Sequence, residues 1–415
     1  MSKIRFAAMA VAVATALSAP AAFGETVKIA FIDPLSGPFA PVGQGILHSW
    51  QLVADIANKK NWAGGPKFEM VPFDNKGSPQ ESVTVLKQVV DQGIRYVVQG
   101  NGSGAAIALS DAIQKHNDRN PGKEIVYLNY AAVDPVLTNE RCSFWHFRLD
   151  INSDMKMEAL SSYLAKNTAV QKVYLIGQDY SFGRAVAAAA KRDIPRKRAD
   201  VQIVGDDLHP IGQVKDFSPY IAKMKAAGAD TVVTGNWGAD LALLIKAAKD
   251  AGYDANFYTY YAGTTGVPTA MASSGVDKVH IVANWIVNTP PNFRGGDLQE
   301  AQIKKWGDDF YTFQTYVGIQ LLSEAMKKSK STDPVKVAFA MEGMRVASLN
   351  GEIDMRASDH QLQQNVYIAT WSKRDGTAVK YDSEKTGYGW KLASMLPAYV
   401  AAQPTSCQMR RPDRP

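Results

Sequence analysis

The sequence predicts an α/β protein made of two doubly wound parallel-sheet lobes. Three observations carry that expectation. From Thr26 onward, short apolar runs alternate with amphipathic stretches of helical period, the pattern of parallel strands linked through helices. The cycle restarts after Asn152, so the two series read as lobes of similar build. The chain is also long enough, since about 390 residues beyond a leader fill two domains of ordinary size.

The first 24 residues stand apart. Lys3 and Arg5 precede an Ala/Val/Met/Leu run from about Phe6 to Leu17, and small residues lead to Gly24. That is the layout of a cleaved secretory signal, with the mature chain expected to begin at Glu25. A membrane anchor would need a longer apolar run. With the leader gone, 46 basic residues become 44 against 40 acidic ones, and net charge falls from +6 to +4. The densest basic stretch, KRDIPRKR (Lys191–Arg198), contains Asp193 and reads as a solvated helix end. No nucleic-acid motif accompanies it.

The elements follow in order. TVKIAFID reads as a strand, GQGILHSWQLVADIANKK as a helix, KFEMVPFD as a strand, and SPQESVTVLKQVVDQG as a helix with Ser78 as N-cap and Pro79 at its first position. RYVVQG, a helix from about Ala105 to His116, and EIVYLNYAA complete the first series. The second runs SDMKMEALSSYLAKN (helix), KVYLIGQD (strand), FGRAVAAAAKRDI (helix), DVQIVGDDLH (strand), FSPYIAKMKAAG (helix), TVVTGN (strand), DLALLIKAAKDAG (helix) and NFYTYYAG (strand). A loop at Asn288–Asp297 precedes two expected helices, Leu298–Tyr311 and Tyr316–Lys330, and the end of the chain is expected to be irregular.

In such sheets ligands sit beyond the carboxyl ends of the strands. The informative stretches are therefore DPLSGPFAPVG (33–43), GNGSG (100–104), YAAVDP (130–135), QDYSFG (178–183), GNWG (235–238) and YYAGTTG (260–266). GNGSG invites a dinucleotide reading, but it lacks the third glycine of that fingerprint and follows the third strand rather than the first. Ser103 has no G-x-S-x-G frame. The six histidines are scattered, with no H-E-x-x-H or C-x-x-C, so no metal or cofactor is implied. No nucleophile–base–orienter set can be named, and the sequence gives no reason to expect an enzyme.

Taken in order, PLSGPFAPVGQG, IRYVVQGNGSG with SDAI, YAAVDPVLT, GQDYSFGRA, DFSPYIAKMKAAGADTVVTGNWGADLALLIKAAKDAG and GEIDM resemble the type I periplasmic solute-binding proteins of ABC importers, specifically the branched-chain amino acid (Leu/Ile/Val)-binding family. The resemblance spans nearly all of residues 25–372. It implies lobes joined by three crossover segments, near Phe147–Asn152, Ala283–Asn288 and Leu349–Ile353. Lobe 1 would then hold 25–147 and 288–350, lobe 2 148–287 and 351–375, with 376–415 as a tail. It also implies a periplasmic monomer that closes on a small ligand and docks to an inner-membrane permease. The same lobes also serve sensory proteins.

The resemblance further implies a site. A ligand carboxylate would meet Ser103 and backbone groups at Ala131 and Val133, with Asn101 nearby. The Ser103 hydroxyl and the helix N-terminus suit an anion, although Ser103 could instead cap its helix. Phe182, Trp237, Tyr261 and Tyr180 would form an aromatic wall, although such residues are more often core. Val42, standing where some relatives carry an aromatic, would leave room. Amino-acid-binding relatives hold the ligand ammonium with an acid where this chain has Tyr261, and a buried ammonium without an anion is heavily penalised. The expected ligand is therefore an aromatic acid of benzoate, phenylacetate or cinnamate type; the alternatives are an apolar amino acid or an amide such as urea. In an exported protein the two cysteines, Cys142 and Cys407, are expected to pair, with two free thiols as the alternative; the resemblance to long-tailed members implies such a closure of the tail.

Overall fold

The computed structural model describes residues 24–289 and 295–414. Apart from Gly24, the expected leader lies outside these residues, as does the middle of the loop at 288–297. The chain runs β1 (Thr26–Asp33), α1 (Ala40–Lys59), β2 (Lys67–Asp74), α2 (Pro79–Asp91), β3 (Tyr96–Gln99), α3 (Ser103–Arg119), β4 (Val126–Asn129) and β5 (His146–Arg148). It then forms α4 (Ser153–Leu164), β6 (Lys172–Gln178), α5 (Ser181–Lys197), β7 (Gln202–His209), α6 (Ser218–Ala226), β8 (Thr231–Thr234), α7 (Gly238–Asp250), β9 (Asn256–Thr259), α8 (Val267–Met271) and β10 (Val279–Ala283). It ends with α9 (Gly296–Trp306), α10 (Gln314–Ser329), α11 (Pro334–Met341), β11 (Arg345–Ser348), β12 (Gly351–Met355), β13 (Leu362–Gln363), β14 (Val366–Lys373), β15 (Tyr388–Leu396) and α12 (Ala398–Ala401).

Lobe 1 carries a five-stranded parallel sheet in the order β2-β1-β3-β4-β5. Lobe 2 repeats that order as β7-β6-β8-β9-β10, and antiparallel β14 and β15 extend it to seven strands. In β6, Val173 and Leu175 enter one hydrophobic cluster while Tyr174 and Ile176 enter another. That period-two alternation, apolar on both faces, is what a sheet covered by helices on both sides requires. At the α2 terminus, Ser78 Oγ accepts the Glu81 amide and Pro79 opens the helix.

Three expectations about the second half are corrected. The helix expected over Leu298–Tyr311 stops at Trp306, because Gly307 turns into the left-handed region at φ 83°. The third crossover does not fall at Leu349–Ile353. There Asn350–Gly351 turns β11 into β12, and Ile353, Met355 and Leu362 pack into the lobe 1 core. Residues 351–363 thus stay with lobe 1, and the chain reaches the second sheet only at Val366. Within the expected irregular tail, β15 pairs along the whole of β14. Its alternating exposure, with one face apolar, is the period of a strand.

The crossings are sewn together by amide side chains. Gln361 donates to the Asp150 carbonyl at 2.8 Å and Gln364 to the Leu149 carbonyl at 2.7 Å. Asn350 donates to the Asn284 carbonyl at 2.8 Å. Buried Arg148 donates to Gln361, to Thr138 and to the Asp134 carbonyl, which fixes the loop after β4 against the first crossing.

Candidate functional site

In both lobes the strand order reverses direction beside the first strand of the series, so the loops after β1 and β3, and after β6 and β8, part and leave a crevice. GNGSG follows β3. A side chain at Gly100 would meet the Tyr130 ring at 2.5 Å, and Gly102 holds φ +91° at the N-cap of α3. Asp33 organises this loop from behind. Its carboxylate is fully buried and accepts the amides of Asn101 (2.9 Å) and Gly100 (3.3 Å), the Gln99 amide and the Tyr130 hydroxyl. Burial pushes its pKa up to about 7, against those hydrogen bonds.

Ser103 occupies the first turn of α3 and does not cap it. Its Oγ accepts the Asp134 amide at 3.3 Å, which leaves its own proton to donate. Ser103 is 2% exposed and lines a cavity between the lobes. Asn101, Ala131, Val133, Tyr180, Phe182, Trp237 and Tyr261 line the same cavity, so the structure brings all eight expected residues together. The backbone at 131–133 is partly occupied already: the Ala131 carbonyl accepts the Tyr261 hydroxyl at 3.2 Å, and the Val133 carbonyl accepts the Ser153 amide at 2.9 Å. Both bonds run from lobe 2 donors to lobe 1 carbonyls.

The aromatic wall is interlocked. Trp237 Nε1 donates to the Tyr180 hydroxyl at 3.0 Å, and Phe182 meets Tyr180 and Tyr261 edge-on at 5.9 and 6.0 Å between centroids. Tyr180 and Trp237 take these places because each is the extended residue just before a helix, α5 and α7, in the two diverging loops. Val42 is not on this cavity. It packs near Gly238, and Ile46, one turn later in α1, faces the cavity instead.

Sequence reasoning missed a buried ion pair. Lys156 Nζ donates to Asp150 Oδ1 at 3.3 Å, and both side chains line the cavity at 1% and 0% exposure. Burial raises the Asp150 pKa and lowers that of Lys156, while their mutual attraction opposes both shifts. Asp150 Oδ2 accepts no hydrogen bond, although the Gln314 side chain stands close enough to favour the charged form. The Lys156 ammonium lies over the Tyr261 and Tyr260 rings, at 5.2 and 5.8 Å from their centroids. The expectation that the pocket offers no acid for an ammonium is therefore corrected. The acid comes from the first crossover rather than from the position of Tyr261. A signal was present: Asn152 caps α4 through the Met155 amide, which puts Lys156 one turn inside the helix and Asp150 just before it.

Two parallel-sheet lobes with one cavity between their carboxyl-terminal edges define a two-lobed binding protein. The chain belongs to the periplasmic binding protein family, which residues 26–377 match. It is 31% identical over 423 residues to the Leu/Ile/Val-binding protein homolog 4 of Brucella abortus (strain 2308), with 98% of each chain covered. Its fold is similar to the leucine-, isoleucine-, valine-, threonine- and alanine-binding protein of Brucella ovis in its closed conformation, with TM-score 0.80 and 29% identity over 94% of this chain and all of that one. It is also similar in fold to a solute-binding protein of an ABC transporter from Rhodopseudomonas palustris BisB5 in complex with 3,4-dihydroxybenzoic acid, with TM-score 0.76 and 21% identity over 90% and 98% of the two chains. Cys142 and Cys407 form a disulfide, with Cα atoms 5.7 Å apart. Among the described residues no helix is long and apolar enough to cross a membrane.

Proposed function

We propose that this protein is the periplasmic solute-binding component of an ABC importer and captures a small aromatic carboxylate between its lobes. One observation carries the reading: the α3 N-terminus, with the free Ser103 proton, lines the same cavity as Tyr180, Phe182, Trp237 and Tyr261. The anion meets a hydroxyl donor and the positive end of a helix, and the ring meets aromatic faces, each worth about 0.5–1.5 kcal/mol beyond area burial. Contacts in both lobes favour the closed form, which is what drives closure. The protein works as a monomer, handing its solute to an inner-membrane permease without chemical change.

A second reading, an apolar α-amino acid, draws support from the free oxygen of Asp150 and from the names of the relatives. Lys156 counts against it, because an ammonium at Asp150 would stand beside another ammonium. The test is a thermal-shift screen on protein stripped of bound solute by unfolding and refolding. Benzoates, phenylacetates and cinnamates are compared with leucine, valine, phenylalanine and urea. A ligand at 100 times its dissociation constant stabilises by about 2.7 kcal/mol. Shifts confined to leucine and valine would replace the aromatic-acid reading with the second one.

A further inference from the structure

We infer that the solute carries a neutral hydroxyl group, most simply a phenol, which binds between Asp150 and Lys156. The inference rests on the aromatic-acid reading and names the part of the ligand remote from its carboxylate. Asp150 is fully buried on the cavity and one of its oxygens has no donor. Lys156, equally buried, has three N–H donors and spends one on a long bond of 3.3 Å, its remaining surroundings being the faces of Tyr260 and Tyr261. The cavity therefore presents, side by side, a carboxylate oxygen that accepts no hydrogen bond and an ammonium with N–H donors to spare. Buried groups of this kind are ordinarily satisfied; among the described residues the Lys156 and Gln314 side chains approach Asp150, and neither hydrogen-bonds its Oδ2.

The charges decide what satisfies them. A ligand cation at Asp150 would face the Lys156 ammonium, and a ligand anion at Lys156 would face the Asp150 carboxylate, in surroundings where water screens neither. A hydroxyl avoids both conflicts, since it donates to Asp150 and accepts from Lys156 while adding no charge. A site that hydrogen-bonds a hydroxyl rejects the analogue that lacks it, because the buried partners are left unpaired. Asp150 and Lys156 are thus specificity-determining residues, and Ser103 serves the other end of the ligand.

The experiment is equilibrium binding to the stripped mature chain of benzoate, phenylacetate and cinnamate, each beside its 2-, 3- and 4-hydroxy isomers, with leucine as a further probe. At least one hydroxylated acid should bind about tenfold to hundredfold tighter than its parent, the range for hydrogen bonds to charged groups. Lys156→Met and Asp150→Asn should each reduce that ratio to within about twofold. Parents binding as tightly as all their hydroxy isomers would overturn the inference and leave the aromatic-acid reading standing. A preference that survives both substitutions would overturn it too, by placing the hydroxyl elsewhere. Binding of leucine alone would overturn both. Should those variants fail to fold, the wild-type ratio still decides whether the solute carries a hydroxyl, and Lys156→Arg, which keeps the charge, replaces them as the test of its place by lowering the ratio.

Discussion

The ring of Phe39 lies against the indole of Trp237, with centroids 4.1 Å apart and planes inclined by 33°. Phe39 stands just before α1 of lobe 1 yet packs into the core of lobe 2, 8% exposed, and Trp237 stands just before α7 on the cavity wall. The pair is an apolar contact across the mouth of the site. If it is broken when the lobes part, Phe39→Ala removes about 1–2 kcal/mol from the closed form alone. Solute affinity should then fall about fivefold to thirtyfold by titration calorimetry. Unchanged affinity would mean that the contact persists in the open protein.

Ser103→Ala tests the anion end. The substitution removes the proton available to a carboxylate and also the acceptor of the Asp134 amide. Affinity for a carboxylate solute should weaken by about 1–3 kcal/mol, while affinity for the matching primary amide changes less. Equal losses for acid and amide would assign Ser103 to holding the Asp134 loop rather than to the anion.

Asp33 should make the site sensitive to pH. Its native pKa of about 7 lies above the ordinary 3.8, so between those values the folded chain binds one more proton than the unfolded chain. Its contribution to stability is full below the lower value and is lost as pH rises through about 7. Asp33→Asn should flatten the decline in melting temperature over that interval. The carboxylate also sits directly behind the loop proposed to hold the anion, so a fully ionised acid should bind more tightly at pH 5.5 than at pH 8 in the wild type and not in the variant. Parallel pH profiles for the two proteins would remove Asp33 from both effects.

Much of this was written in local sequence. The strand–helix alternation specified both parallel sheets, and the position rule for such sheets picked out the loop stretches that hold Ser103, Phe182 and Trp237, because residues just after a strand have little freedom to lie elsewhere; the residues themselves came from the family resemblance. Side chains whose placement depends on long-range closure were harder to read. The carbonyl of Asp150 is held by Gln361, more than two hundred residues later, and Phe39 reaches Trp237 only across the cleft. The third crossover was misplaced for a related reason. GEIDM reads as a strand in either lobe, and the Asn350–Gly351 turn that returns it to lobe 1 is a tertiary choice.

The end of the chain connects the lobes a fourth time. β15 belongs to the lobe 2 sheet, yet the residues that follow lie on lobe 1, where Thr405 donates to the Thr138 carbonyl at 2.6 Å, Asn139 accepts the Ser406 amide at 3.0 Å, and Cys407 is bonded to Cys142. A covalent tie from a lobe 2 edge strand to lobe 1 limits how far the lobes can part, and it also restricts the unfolded chain. Replacing both cysteines by serine should lower stability by about 2–5 kcal/mol. It should also enlarge the radius of gyration of the solute-free protein in X-ray scattering while leaving the solute-bound value alone. Affinity should drop in step, because a wider open ensemble makes closure entropically more costly. Loss of stability with no change in scattering or affinity would make the disulfide a staple of lobe 1 only, without influence on the hinge.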